Sequence, residues 1–142
     1  MKTQFILPEA KINTPEKGMK KQIENVQDYW SIEACGTHFI KNFKDKKEFF
    51  ETGRKYANRI YRIIHTHFDE NFSPDSVFDF GCGTGRLAIG FAPNVKRVVG
   101  IDISENMLKE AKANAKELGQ THIEFYMSDD TLSAVANQQF DL

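Results

Sequence analysis

Val77-Phe78-Asp79-Phe80-Gly81-Cys82-Gly83-Thr84-Gly85-Arg86 decides the reading of this chain. An apolar run ends on an acid, and glycine then takes every second position. Leu87-Ala88-Ile89-Gly90-Phe91-Ala92 comes next as a helix-compatible segment. Strand, glycine turn and helix in that order make a cradle for a nucleotide-like ligand. The missing side chains let the backbone approach such a ligand, and some of these positions call for positive φ. The helix start then offers unpaired N–H groups and a partial positive charge to an anionic group.

A second acid sharpens this. Val98-Val99-Gly100-Ile101-Asp102 reads as the next parallel strand, nearly continuous in apolar residues as buried strands are. It ends in a carboxylate about twenty residues after the first glycine, where nucleotide-binding α/β units hold ribose hydroxyls. Two acceptor oxygens on one carboxylate suit both hydroxyls of a ribose. Ile123-Glu124-Phe125-Tyr126-Met127-Ser128-Asp129 is a third strand, alternating in character and ending polar and acidic.

These three elements together resemble the class I S-adenosylmethionine-dependent methyltransferases, over roughly residues 73 to 142. The resemblance implies an α/β fold with a Rossmann-like parallel sheet, and S-adenosylmethionine as cofactor. In the family an acid stands two residues before a Gly-x-Gly-x-Gly loop, as Asp79 does here. The next strand ends in a ribose-binding acid, matched by Asp102, and the third ends in an acid that meets the adenine amino group, matched by Asp129. The cofactor-binding set is therefore Asp79, Gly81, Cys82, Gly83, Gly85, Asp102, Ile103, Met107 and Asp129. The loop is expected at the methionine end, with Asp79 favouring the ammonium and Ile103 on the adenine face. The implied activity is methyl transfer to a small-molecule acceptor.

Two other readings stand beside this one. A dinucleotide oxidoreductase uses Gly-x-Gly-x-x-Gly or its alanine-ended form. From Gly81 the third glycine falls on Arg86. From Gly83 the series Gly83, Gly85, Ala88 fits but leaves Gly81 and Asp79 without a role. The other alternative is a noncatalytic cofactor-binding or assembly module. Its argument is the strand count, because the family sheet has seven strands in the order 3-2-1-4-5-7-6. Here Phe140-Asp141-Leu142 reads as the opening of strand four, so the core looks truncated to its amino-terminal half. Strand one then lies at an open edge, available for self-association.

The composition is that of a soluble globular protein: 142 residues, 40% hydrophobic, 27% charged, net charge −1. Neither a bilayer-spanning stretch nor a signal-peptide pattern is present in the sequence. The near-neutral balance gives no nucleic-acid footprint, so no nucleic acid and no membrane are expected as partners. Two isolated cysteines, Cys35 and Cys82, point to a reducing, cytoplasmic setting without disulfide or zinc site.

Residues 1–72 read as a helical lead-in or lid, and 73–142 as the core. Thr14-Pro15-Glu16 starts a helix whose apolar face is Met19, Ile23, Val26 and Trp30. Asp45-Lys46-Lys47-Glu48 reads as a capping box. The helix from it is expected to bury Phe49, Tyr56, Ile60, Ile63 or Ile64, and Phe68. Tyr29-Trp30 and Phe49-Phe50-Glu51-Thr52-Gly53 are similar to bacterial small-molecule methyltransferases whose leading helices fold over the cofactor mouth. That makes Trp30, Gly53 and Arg54 the lid candidates, against plain packing for Trp30 and a solvated charge for Arg54. Ser104 caps a helix from Glu105 to about Leu118, closed by Gly119. No catalytic base is identifiable among His38, His65, His67 and His122. His65 and His67 fall on opposite helix faces and cannot share a metal.

Overall fold

The structure is a computed structural model and describes residues 5–6, 24, 26, 43–129 and 131–142. Its elements in chain order are β1 (Phe5–Ile6), α1 (Phe43–His67), β2 (Ser76–Phe80), α2 (Arg86–Phe91), β3 (Arg97–Asp102), α3 (Glu105–Glu117), β4 (Ile123–Met127) and β5 (Gln139–Phe140). Three strands form a parallel sheet in the order β2-β3-β4. Phe80 pairs with Ile101 and Asp102 with Met127, so the carboxyl ends of all three strands lie along one rim. That is where an open α/β sheet places its ligands.

Alternation along the strands divides the core between two faces. Val77, Val98 and Phe125 pack against Phe50 and Ala57 of α1, Ala88, Ile89 and Phe91 of α2, and Leu108, Ala111 and Ala115 of α3. Val99 and Ile101 pack on the other face with Val135 and Phe140, joined by Phe78 and Leu132. The chain after β4 thus folds back to cover the second face. Fully buried Val98, Val99 and Ile101 make β3 the central strand.

The caps of α3 agree with the sequence reading. Ser104 accepts a hydrogen bond from the Met107 N–H, and Gly119 takes φ +72° just past the helix end. The start of α1 does not. The helix begins at Phe43, which puts Asp45 inside the first turn rather than at the cap, where its charge still meets the positive helix end.

The buried stripe of α1 also departs from expectation. Tyr56, Ile63 and Phe68 are 52, 44 and 81% exposed, while Phe50 and Ala57 are buried with Phe49, Ile60 and Tyr61 beside them. The cause is the crossing with α2. A Cβ on Gly53 would lie 2.1 Å from the Arg86 carbonyl oxygen, and one on Gly90 would lie 2.6 Å from the Gly53 backbone. The two helices meet backbone to backbone, and small residues at the contact rotate α1 so that Gly53 and Ala57 face inward. Phe68 lies beyond the helix end.

The edge of β2 is not open along its length. The Phe78 N–H donates to the Leu142 carbonyl at 2.7 Å, and Asp141 and Leu142 both donate to the Ser76 carbonyl. The Asp141 carboxylate accepts from the Asp75 and Ser76 N–H groups and from the Ser76 hydroxyl, each at 2.9 Å. The chain's own residues 141–142 occupy this edge, which corrects the picture of a bare strand offered to a second copy. β5 pairs antiparallel with β1. Of the amino-terminal helix expected from the sequence, only Glu24 and Val26 are described. Both are helical, and Val26 is 46% exposed. Trp30, Cys35 and His38 lie outside the described residues. Among the described residues, no helix is long and apolar enough to cross a membrane.

Candidate functional site

Three glycines in left-handed conformation carry the chain from β2 into α2: Gly81 at φ +70°, Gly83 at +53° and Gly85 at +85°. Only glycine adopts such angles in succession without strain. The loop turns over the carboxyl ends of β2 and β3 and borders a cavity of about 460 Å³. Phe80, Gly81, Gly83, Ile101, Asp102, Ile103, Met107 and Ser128 line it. Its floor and walls are mainly apolar, and among the described residues Asp102 is the one ionisable side chain that lines it.

Asp102 binds the loop to the sheet. One carboxylate oxygen accepts from the Gly83 N–H at 2.8 Å, the other from the Ser104 N–H at 2.9 Å. Each oxygen has further lone-pair capacity for a ligand hydroxyl. Asp79 sits behind the loop. It accepts from the Ala88 N–H at 3.0 Å, the donor an N-cap side chain would satisfy if Gly85 had one. Burial raises its pKa to about 6. The Ala88 N–H and Arg86 act the other way, and neighbouring Asp102 adds to the rise.

Five of the residues expected from the sequence therefore line the cavity: Gly81, Gly83, Asp102, Ile103 and Met107. Cys82 and Gly85 are turned into the core. The Cys82 thiol is buried, and burial with the nearby charges of Asp79 and Asp102 pushes its pKa up, which makes it inert. Asp129 does not border the cavity. Its carboxylate takes hydrogen bonds from the Thr131 N–H and hydroxyl and from the Ser133 N–H and hydroxyl, closing the turn into residues 133–135. The Ser133 hydroxyl and N–H, and to a lesser degree those of Thr131, lower its pKa to about 2. Ser128, one residue before it, faces the cavity instead.

Two of the lid candidates, Gly53 and Arg54, are elsewhere. Gly53 forms the α1–α2 crossing, and Arg54 pairs on the surface with Glu51 at 2.6 Å. Two of the histidines tie loops: His65 donates to the Phe72 carbonyl and His122 to the Ala92 carbonyl. The sequence reading missed Phe80, Ile101 and Ser128. Each adjoins a residue it did choose, so position at a strand end was the available signal.

Residues 77–142 match the family model described as a methyltransferase domain. This part of the chain is a class I S-adenosylmethionine-dependent methyltransferase domain. Among solved structures, the methyltransferase domain is similar to magnesium protoporphyrin IX methyltransferase from Synechocystis PCC 6803 with bound SAH. That likeness has 27% identity and a TM-score of 0.50, over 75% of this chain and 51% of the other. Among curated proteins, an uncharacterized RNA methyltransferase of Clostridium tetani is 37% identical over 57% of this chain and 18% of its own length. A 23S rRNA (uracil(747)-C(5))-methyltransferase of Vibrio vulnificus is 31% identical over 66% of this chain and 24% of its own length. The chain thus spans less than a quarter of either curated relative's length.

Two of the sequence expectations change. The dinucleotide oxidoreductase gives way to the methyltransferase domain. The expectation of no nucleic acid is corrected by the rRNA methyltransferases among the relatives, while the similar proteins, a protoporphyrin methyltransferase included, do not single out one acceptor class. Net charge was a poor guide there, because a cofactor core need not carry the surface that meets an acceptor.

Proposed function

We propose that this domain holds S-adenosylmethionine in the cavity beneath the glycine loop and serves as the cofactor half of a methyl-transferring enzyme. The observation that carries the reading is Asp102, a carboxylate in a mainly apolar cavity wall, hydrogen-bonded to the loop it adjoins. Its free lone pairs suit the ribose hydroxyls. Ile103 and Met107 supply apolar surface for the adenine, and Ser128 supplies a hydroxyl at that end. The Gly81–Gly85 loop faces the methionine end. Asp79 behind it favours the ammonium, directly or through water.

The cofactor brings an activated methyl carbon, and transfer is an in-line displacement. The protein's part is to hold donor and acceptor in line and keep water out. A base is required only for an acceptor that arrives protonated, and no residue here is assigned that work.

For the acceptor, the curated relatives favour RNA. The test is transfer of labelled methyl from S-adenosylmethionine to unmodified ribosomal RNA by the protein carrying this domain. Label in RNA that disappears with Asp102→Ala supports the reading. Active methylation confined to small molecules would overturn the RNA acceptor while leaving the cofactor site intact.

A further inference from the structure

We infer that Asn114, on the far side of α3 from solvent, is a positioning residue that fixes the cofactor loop from behind. Asn114 is buried, and its side-chain amide donates to the Thr84 carbonyl oxygen at 3.1 Å, across thirty residues of sequence. Thr84 is buried as well, so neither group has water to turn to.

The bond matters because the helix start offers this buried carbonyl no donor. Ala88 is the third residue of α2, so its N–H has no partner in the helix ladder, and the Thr84 carbonyl lies one residue before the cap, outside that ladder as well. The first ladder bond runs from the Ile89 N–H to the Gly85 carbonyl at 2.8 Å. The Ala88 N–H, however, goes to the Asp79 carboxylate at 3.0 Å. The helix satisfies neither group, and two side chains from two different elements do so instead. Asp79 holds the donor, and Asn114 holds the acceptor. The Thr84–Gly85 peptide is thereby turned out of the helix, the conformation in which Gly83 and Gly85 keep positive φ. Asp102 fixes the same loop at the Gly83 N–H.

Without the Asn114 amide, the Thr84 carbonyl is a buried acceptor with no donor. It recovers one by winding onto the Ala88 N–H, which extends α2 by one residue and draws the loop away from the cavity. The expected consequence is weaker cofactor binding, in excess of any loss of stability. This inference rests on the proposed cofactor site, and its test separates the two.

The experiment compares wild type, Asn114→Leu, Asn114→Asp and Leu118→Ala. Leu118 packs against the same core beyond the loop. S-adenosylhomocysteine affinity is read by calorimetry below every melting temperature, and the Gly83 and Gly85 amide shifts are read by NMR without ligand. The expected result is an affinity loss of about tenfold or more in both Asn114 variants, with both glycine shifts moved. Leu118→Ala loses stability yet binds within about threefold of wild type. Unmoved glycine shifts in Asn114→Leu would overturn the inference. If wild type binds no ligand, the cofactor reading fails, and the shifts still decide the role of Asn114. Should the variants not fold, a scalar coupling across the hydrogen bond from the Asn114 amide nitrogen to the Thr84 carbonyl carbon in wild type supports the inference. Its absence overturns it.

Discussion

Asp79 carries an energetic cost that its position explains. Its pKa rises to about 6, chiefly through burial, from an ordinary value of 3.8. A folded pKa above the unfolded one means the folded state binds more protons between the two values. Its contribution is therefore full below about pH 4 and is lost as pH rises through about 6. Asp79→Asn keeps an oxygen for the Ala88 N–H and removes the charge. It should raise stability by about 1–2 kcal/mol at pH 7.5 and by almost nothing near pH 4, as read by urea unfolding at both values. A gain equal at the two pH values would exclude the buried charge as its source. Asp102→Ala should weaken S-adenosylhomocysteine binding by about one to two orders of magnitude, through loss of charge-assisted hydrogen bonds. An unchanged dissociation constant in calorimetry removes Asp102 from the site. The placement of both acids against the glycine loop was legible in the sequence because their spacing to the glycines is local. Asp129 and Asn114 were not. A polar strand end serves a ligand or a turn equally well in sequence, and a lone amide in a helix looks like solvent-facing surface until the packing is known.

The glycine loop works because the elements around it meet closely. The α1–α2 crossing puts Gly53 against the Arg86 carbonyl at the first residue of α2. The Arg86 guanidinium lies over the Phe49 and Tyr56 rings at 5.9 and 5.2 Å. Gly53→Ala has no room at this contact and should cost about 1–3 kcal/mol through overpacking, measured by urea unfolding. A neutral result would mean that the helices separate freely there. The register of α1 illustrates what hydrophobic patterning misses. Large apolar side chains suggested a stripe through Tyr56 and Phe68. The contact is instead made where side chains are small, and a rule that seeks large residues overlooks Gly53 and Ala57. β2, β3 and α3 were easier to read. Their strand and cap signals are each complete within a few residues.

At the scale of the molecule, the sheet is covered on both faces by elements from opposite ends of the described chain. The second face depends on Phe140, which is buried and stacks on Phe78 with ring centroids 5.1 Å apart. Arg97 closes the same cluster, reaching Glu124 and Gln138 while lying 5.4 Å above the Phe140 ring. Phe140→Ala should cost about 3–5 kcal/mol of stability, read from the denaturant midpoint. A loss below about 1 kcal/mol would show that this face is not part of the folded core. The parallel order β2-β3-β4 was legible because the resemblance carried it. The filling of the β2 edge was not, because it depends on backbone hydrogen bonds that side-chain patterns do not report. The central claim is that this cavity is built for S-adenosylmethionine. Isothermal calorimetry of the chain with S-adenosylhomocysteine, run in parallel with NADH, tests it most directly. The account expects saturable one-to-one binding of S-adenosylhomocysteine and no heat from NADH, whereas binding of NADH without S-adenosylhomocysteine would contradict it.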